Sequence, residues 1–86
     1  MRVELTPEAR RQLIRLPHKT YEVVAAAIDG SITENPYRAS KALRDELARY
    51  RSVRRGDYRV LLTIDDEEQV ITIVRIEHRS TVYRPR

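Results

Sequence analysis

The chain has 86 residues, 17 Lys and Arg against 13 Asp and Glu for a net charge of +4, and no Cys. That length specifies one domain, residues 1–86, whose core withdraws only about two-thirds of the unfolded chain's surface from water. The composition excludes disulfides and thiolate metal sites, and the two His, His18 and His78, stand at no ligand spacing, so neither a metal nor another cofactor is expected.

Arg2-Val3-Glu4-Leu5 alternates and reads as a short opening strand. Thr6-Pro7-Glu8 is a helix start, with Thr as cap, Pro at the first helical position and an acid in the first turn. Ala9, Leu13 and Leu16 lie on one stripe, and Pro17 ends the helix because the residue before Pro disfavours helical backbone. Tyr21, Val24, Ala25, Ile28 and Ile32 recur at helical spacing in a second helix. Gly30 weakens that helix, and Asn35-Pro36 stops it. Residues 36–48 are the least regular stretch, with Leu43 and Leu47 as anchors and a short extended piece at Ala42-Leu43-Arg44.

From Tyr50 onward the pattern has period two. Arg51, Val53 and Arg55 alternate with Ser52 and Arg54 before the turn residues Gly56-Asp57. Tyr58, Val60, Leu62 and Ile64 alternate with Arg59, Leu61 and Thr63 after it. An acidic turn, Asp65 to Glu68, leads to a run from Gln69 to Glu77 that is apolar on both faces and is expected inside the sheet. The order βααβββ predicts an α+β fold. A small antiparallel sheet, mixed at the N-terminal strand, carries an N-terminal helical hairpin on one face. Its other face is left open, with Arg59 and the segment from His78 to Tyr83 as candidates for it. Leu13, Leu16, Val24, Ile28, Val60, Leu62, Val70 and Ile73 are the expected core.

Only two of the basic residues are Lys, Lys19 and Lys41. Arg presents a planar fork of donors that matches phosphate oxygens, so an Arg-rich basic domain points to nucleic acid. Genomic base composition explains the Arg-to-Lys ratio but not the clustering of Arg51, Arg54, Arg55 and Arg59. Together these four form a guanidinium constellation suited to phosphate. Edge-strand charges against aggregation are the plainer explanation, but such charges are usually Lys. His78, Arg79 and Tyr83 can transfer protons or stack on bases, and a straight strand cannot put all three on one face. No Gly-rich phosphate loop, nucleophile elbow or catalytic carboxylate pair is present. No run is apolar and long enough for a membrane span, and the first residues enter a strand pattern directly. Neither a membrane partner nor a signal peptide is expected, and the lack of Cys fits the cytoplasm.

Arg54-x-Gly56-Asp57-Tyr58-Arg59 and His78-Arg79-x-x-x-Tyr83, within "NPYRASKALRDELARYRSVRRGDYRVLLTIDD" and "IEHRSTVY", resemble the RelE/ParE superfamily of bacterial type II toxins, the RelE branch most. The similarity spans nearly the whole chain, including "ELTPEARRQLIRLP". It implies a toxin that enters the ribosomal A site and cleaves the mRNA codon there without metal, by 2′-hydroxyl attack. It also implies a RelB-like antitoxin as partner, in a complex that binds operator DNA through the antitoxin. Residue by residue, Arg59 is implied to stabilise the phosphate, Tyr83 to orient substrate or take a proton, and His78 or Arg79 to serve as acid. Arg54 matches a basic residue of the preceding strand and is counted with the catalytic residues, its positive charge assisting the Tyr83 phenol. Lys41 and Arg44 match an RNA-contacting region, and Arg51 and Arg55 join them as RNA- or ribosome-binding residues. Some members place lysines at alternating positions on the strand before the turn; here Ser52 is neutral where a basic residue could stand, so the general base stays open. The ParE branch, directed at DNA gyrase, and a catalytically silent binding module are the alternatives.

Overall fold

A computed structural model describes residues 1–82, Thr81 and Val82 by backbone alone; Tyr83 lies outside the described residues. The order is β1 (Arg2–Leu5), α1 (Pro7–Arg15), α2 (His18–Ala27), a π-helical turn (Ile28–Ile32), α3 (Pro36–Ala39), β2 (Lys41–Ala42), a 3-10 turn (Asp45–Leu47), β3 (Arg51–Arg55), β4 (Tyr58–Asp65), β5 (Val70–His78) and α4 (Arg79–Val82). The strands form one sheet in the order β1-β5-β4-β3-β2, parallel only between β1 and β5. This is the α+β fold expected, with β5 inside the sheet between β1 and β4, and with an added two-residue edge strand, β2. Among the described residues, no helix is long and apolar enough to cross a membrane.

Thr6 does two jobs at the junction of β1 and α1. Its hydroxyl oxygen caps α1 by accepting from Ala9 N at 3.0 Å, and the same hydroxyl donates to Val74 O at 2.6 Å. β1 is only four residues long, so it pairs with β5 no further than Ile73. Beyond that point the exposed edge of β5 would present unpaired backbone groups. Thr6 and Gln12 supply their partners: Thr6 N donates to Ile73 O at 3.0 Å, and Gln12 Oε1 accepts from Ile76 N at 2.7 Å.

The second helix departs from a continuous α-helix through Ile32. The ladder widens into the π-helical turn at Ile28–Ile32, around Gly30, and Thr33 Oγ1 donates to Ile28 O at 2.6 Å. Asn35 then caps α3 through its side chain. The short extended piece is Lys41–Ala42, one residue earlier than the sequence suggests.

Val24, Ala27, Ile28 and Ile32 pack with Val53, Val60, Leu62, Ile71, Ile73 and Ile76 in one buried core. Leu13 and Leu16 lie against it half-buried, because α1 covers the edge of the sheet along β5 rather than its middle. Val70 is buried near the end of the strand but outside that cluster.

A register shift between Leu61 and Leu62 resolves the apolar run of β5. Leu62 pairs with Ile73 but Leu61 pairs with Arg75, so Val74 is an extra residue in β5. In an uninterrupted strand Ile73 and Ile76 would point to opposite faces. The bulge brings both onto the core face. The strand is therefore not apolar on both faces: its phase changes halfway.

Candidate functional site

Strand pairing sorts the basic residues into two faces. On the helix side, one row is Arg55–Tyr58–His78 and another contains Arg51, Leu62 and Ile73. On the open side, the first row is Arg54–Arg59–Glu77 and the second is Lys41–Ser52–Leu61–Arg75. Four clustered arginines in the sequence thus become two pairs separated by the thickness of the sheet.

Arg51 is tied to α3. Its Nε donates to Ser40 Oγ at 2.7 Å, and Nη2 donates to Ser40 O at 3.1 Å and to Tyr37 O at 3.2 Å. Its guanidinium carbon lies 5.1 Å from the centre of the Tyr37 ring. Tyr37 in turn donates to Asp66 Oδ2, linking α3 to the acidic turn. That bond raises the phenol above the usual tyrosine range, with desolvation and the Asp66 charge adding and Arg51 opposing. Arg55 donates to Arg54 O at 2.8 Å and to Ser31 Oγ at 3.4 Å, and lines two shallow clefts on the helix side.

The open face is different in chemistry. Arg54 stands directly across from Arg59, a like-charge pair that is unfavourable by itself. On the other side of Arg59 stands Glu77. Arg59 Nη2 donates to Glu77 Oε1 at 3.3 Å, and Arg75 Nε lies 3.6 Å from the same oxygen, an ion pair beyond hydrogen-bond length. The side chains of Arg59 and Glu77 are 22% and 12% exposed, whereas that of Arg75 is 39% exposed. The Nε atoms of Arg59 and Arg75 are buried and have no hydrogen-bond partner among the described residues. Leu61, although on this face, is fully buried. Lys41 at the sheet edge extends the cationic row, and exposed Arg44 precedes the 3-10 turn beyond it.

Glu77 and Arg75 are missed when the sequence is read alone, and the reason is the bulge. Counted back from the β4–β5 turn through the Leu62–Ile73 pair, Arg59 would face Ile76. The extra residue moves it one place, to Glu77. The sequence signal was present in Ile73 and Ile76, two core-type residues three apart in a strand.

His78 is the last residue of β5 and lies on the helix-side row, not on the face of Arg59. Its ring meets Tyr58 edge-on with centroids 4.9 Å apart. Ser80 N donates to His78 Nδ1 at 3.1 Å, and the Ser80 hydroxyl lies 2.8 Å from that nitrogen. A backbone amide can only donate, so Nδ1 is an acceptor and the neutral ring carries its proton on Nε2. Arg79 folds back onto the hairpin turn. Its N–H donates to Asp57 O at 2.7 Å, and its guanidinium lies 3.6 Å from Asp57 Oδ1. Gly56, at φ +58°, makes that two-residue turn possible. The fold therefore puts Arg54 and Arg59 together, adds Arg75 and Glu77, and sets His78 and Arg79 at the rim where β5 ends. Among the described residues, no group of three or more His, Asp and Glu is arranged to hold a metal.

Cations aligned along one sheet face suit an extended polyanion or a wrapping chain better than a small molecule. The family described as the ParE toxin of type II toxin–antitoxin systems matches residues 3–83. Two toxins of Mycobacterium tuberculosis are similar over 82 residues, 95% of this chain. Toxin RelG is 43% identical, over 94% of its own length, and toxin RelE is 42% identical, over 84%. The crystal structure of the toxin–antitoxin complex RelBE2 from the same organism contains a chain of 42% identity that superposes with a TM-score of 0.84, covering 91% of this chain and 96% of that one. The chain belongs to the RelE/ParE family and is a toxin of a type II toxin–antitoxin system.

Proposed function

We propose that this toxin is a ribosome-dependent endoribonuclease that cleaves mRNA at the A-site codon. The observation that carries the reading is the alignment of Arg54, Arg59 and Arg75 on the sheet face opposite the helices, with Arg59 held by Glu77. In the proposed reaction the 2′-oxygen attacks the adjacent phosphorus and loses its proton. The bond from phosphorus to the 5′-oxygen breaks, and that oxygen gains a proton. The products are a 2′,3′-cyclic phosphate and a 5′-hydroxyl. Arg59 balances charge on the phosphoryl oxygens, since a fixed guanidinium can donate two hydrogen bonds to it. His78 or Arg79 and Tyr83, at the end of β5 and beyond it, are assigned to the proton transfers. Lys41, Arg44 and Arg54 hold neighbouring phosphates. The ribosome supplies much of the positioning, which by itself accounts for large rate factors.

In the resting cytoplasm a RelB-like antitoxin covers the toxin, and the complex binds operator DNA through the antitoxin. The toxin–antitoxin complex among the similar structures supports this partner. A gyrase-directed activity is the second reading, favoured by the ParE description of the matching family. The RelE and RelG names of the relatives at 42% and 43% identity favour the nuclease. Mapping mRNA ends on purified programmed ribosomes, beside a gyrase supercoiling assay, separates the two. New ends at the A-site codon with untouched gyrase support the nuclease; inhibited gyrase with intact mRNA replaces it.

A further inference from the structure

We infer that Glu77 is a positioning residue for Arg59, with Arg75 as the anchor of its carboxylate. This role rests on the nuclease reading above. Arg59 has a long side chain and a like charge, Arg54, directly across the ladder. Left alone, the two guanidiniums would repel, and Arg59 would sample several rotamers. Glu77 counters both tendencies from the opposite strand. Its Oε1 takes Arg59 Nη2 at 3.3 Å, and Arg75 Nε approaches the same oxygen at 3.6 Å. With only 12% of its side chain exposed, Glu77 is shielded from the solvent that would weaken an exposed pair. The contact engages one edge of the Arg59 guanidinium through Nη2. Both cations meet one carboxylate oxygen, Oε1, a geometry that suits a positioning role.

This arrangement has an electrostatic cost. A carboxylate beside the phosphate site repels the phosphate it helps to process. Glu77 thus sharpens the chemical step while weakening ground-state binding, and its removal should move the two in opposite directions. A merely structural residue would not do this, since loss of folding lowers binding and rate together.

The test uses Glu77→Gln, which keeps shape and an acceptor oxygen but removes the charge, and Arg75→Met, which keeps the stem of a more exposed residue and removes the anchor. Each full-length variant is measured by thermal melting, by anisotropy with a single-stranded RNA oligonucleotide at fixed salt, and by single-turnover mRNA cleavage on programmed ribosomes. Glu77→Gln is expected to cleave about 10- to 100-fold more slowly, the scale of a misplaced catalytic group. Its RNA affinity is expected to be equal or tighter. Arg75→Met is expected to slow cleavage several-fold with little change in melting, and it decides the matter if Glu77→Gln does not fold. Wild-type rates in the folded variants, or rate and affinity of Glu77→Gln falling in parallel, overturn the role of Glu77 and leave the nuclease reading standing. A wild-type protein inert on ribosomes overturns both.

Discussion

Replacing Arg51 by Ala distinguishes an RNA-binding arginine from one that holds the fold. The side chain donates three hydrogen bonds, at 2.7, 3.1 and 3.2 Å, to Ser40 and Tyr37, and lies against the Tyr37 ring. Hydrogen bonds from a charged donor contribute about 1.5–3 kcal/mol each in favourable settings. Here the side chain is half-exposed and one bond is solvent-facing, so the total is discounted for screening to about 2–3 kcal/mol. Ser40 itself is buried at 8% exposure and donates to Pro36 O at 2.6 Å, so the loss falls on a packed contact. For a domain of this size that cost lowers the melting temperature by roughly 10–20 °C. Urea unfolding followed by circular dichroism should show a lower midpoint at unchanged slope, while the folded fraction binds single-stranded RNA nearly as well as wild type. An unchanged midpoint together with a large loss of RNA affinity would refute the reasoning and return Arg51 to the RNA-contacting group.

Leu62 is fully buried between the helices and the centre of the sheet, so Leu62→Ala should destabilise by roughly 2–5 kcal/mol in the same unfolding assay. Gly56 has open space around its Cα but sits at φ +58°, so Gly56→Ala should cost about 1–2 kcal/mol through backbone strain alone, read from the urea midpoint. Thr6→Ala removes both a helix cap and the bond to Val74 O; it should cost about 1–2 kcal/mol, with faster amide exchange at Ile76 marking the loosened bulge.

The layout of the fold was legible because each element announces itself locally. Thr6-Pro7 starts a helix, Leu16-Pro17 ends one, and Gly56-Asp57 turns a hairpin. The open face was legible for the same reason, since strict alternation places Arg54 and Arg59 opposite Val53 and Val60. That alternation also separates Arg51 and Arg55 from Arg54 and Arg59, although proximity along the chain suggests a single patch. What the sequence did not reveal is non-local. Bulge formation at Val74 depends on partners far away in the chain, Thr6 and Gln12, and only the bulge brings Glu77 beside Arg59. The widening at Ile28–Ile32 likewise arises where the helix must bury Ile28 and Ile32 against the sheet across Gly30.

Arg59 is the residue on which the proposed chemistry turns, and its removal leaves other cations on the open face to hold phosphate. On ribosomes programmed with a defined mRNA, the wild-type toxin should yield a 2′,3′-cyclic phosphate end at the A-site codon. In single turnover Arg59→Ala should be slower by on the order of 10²–10³, the usual loss for one charge-stabilising donor, with ribosome affinity little changed. Cleavage by Arg59→Ala at the wild-type rate, or intact mRNA with the wild-type protein, would contradict an active site on this face.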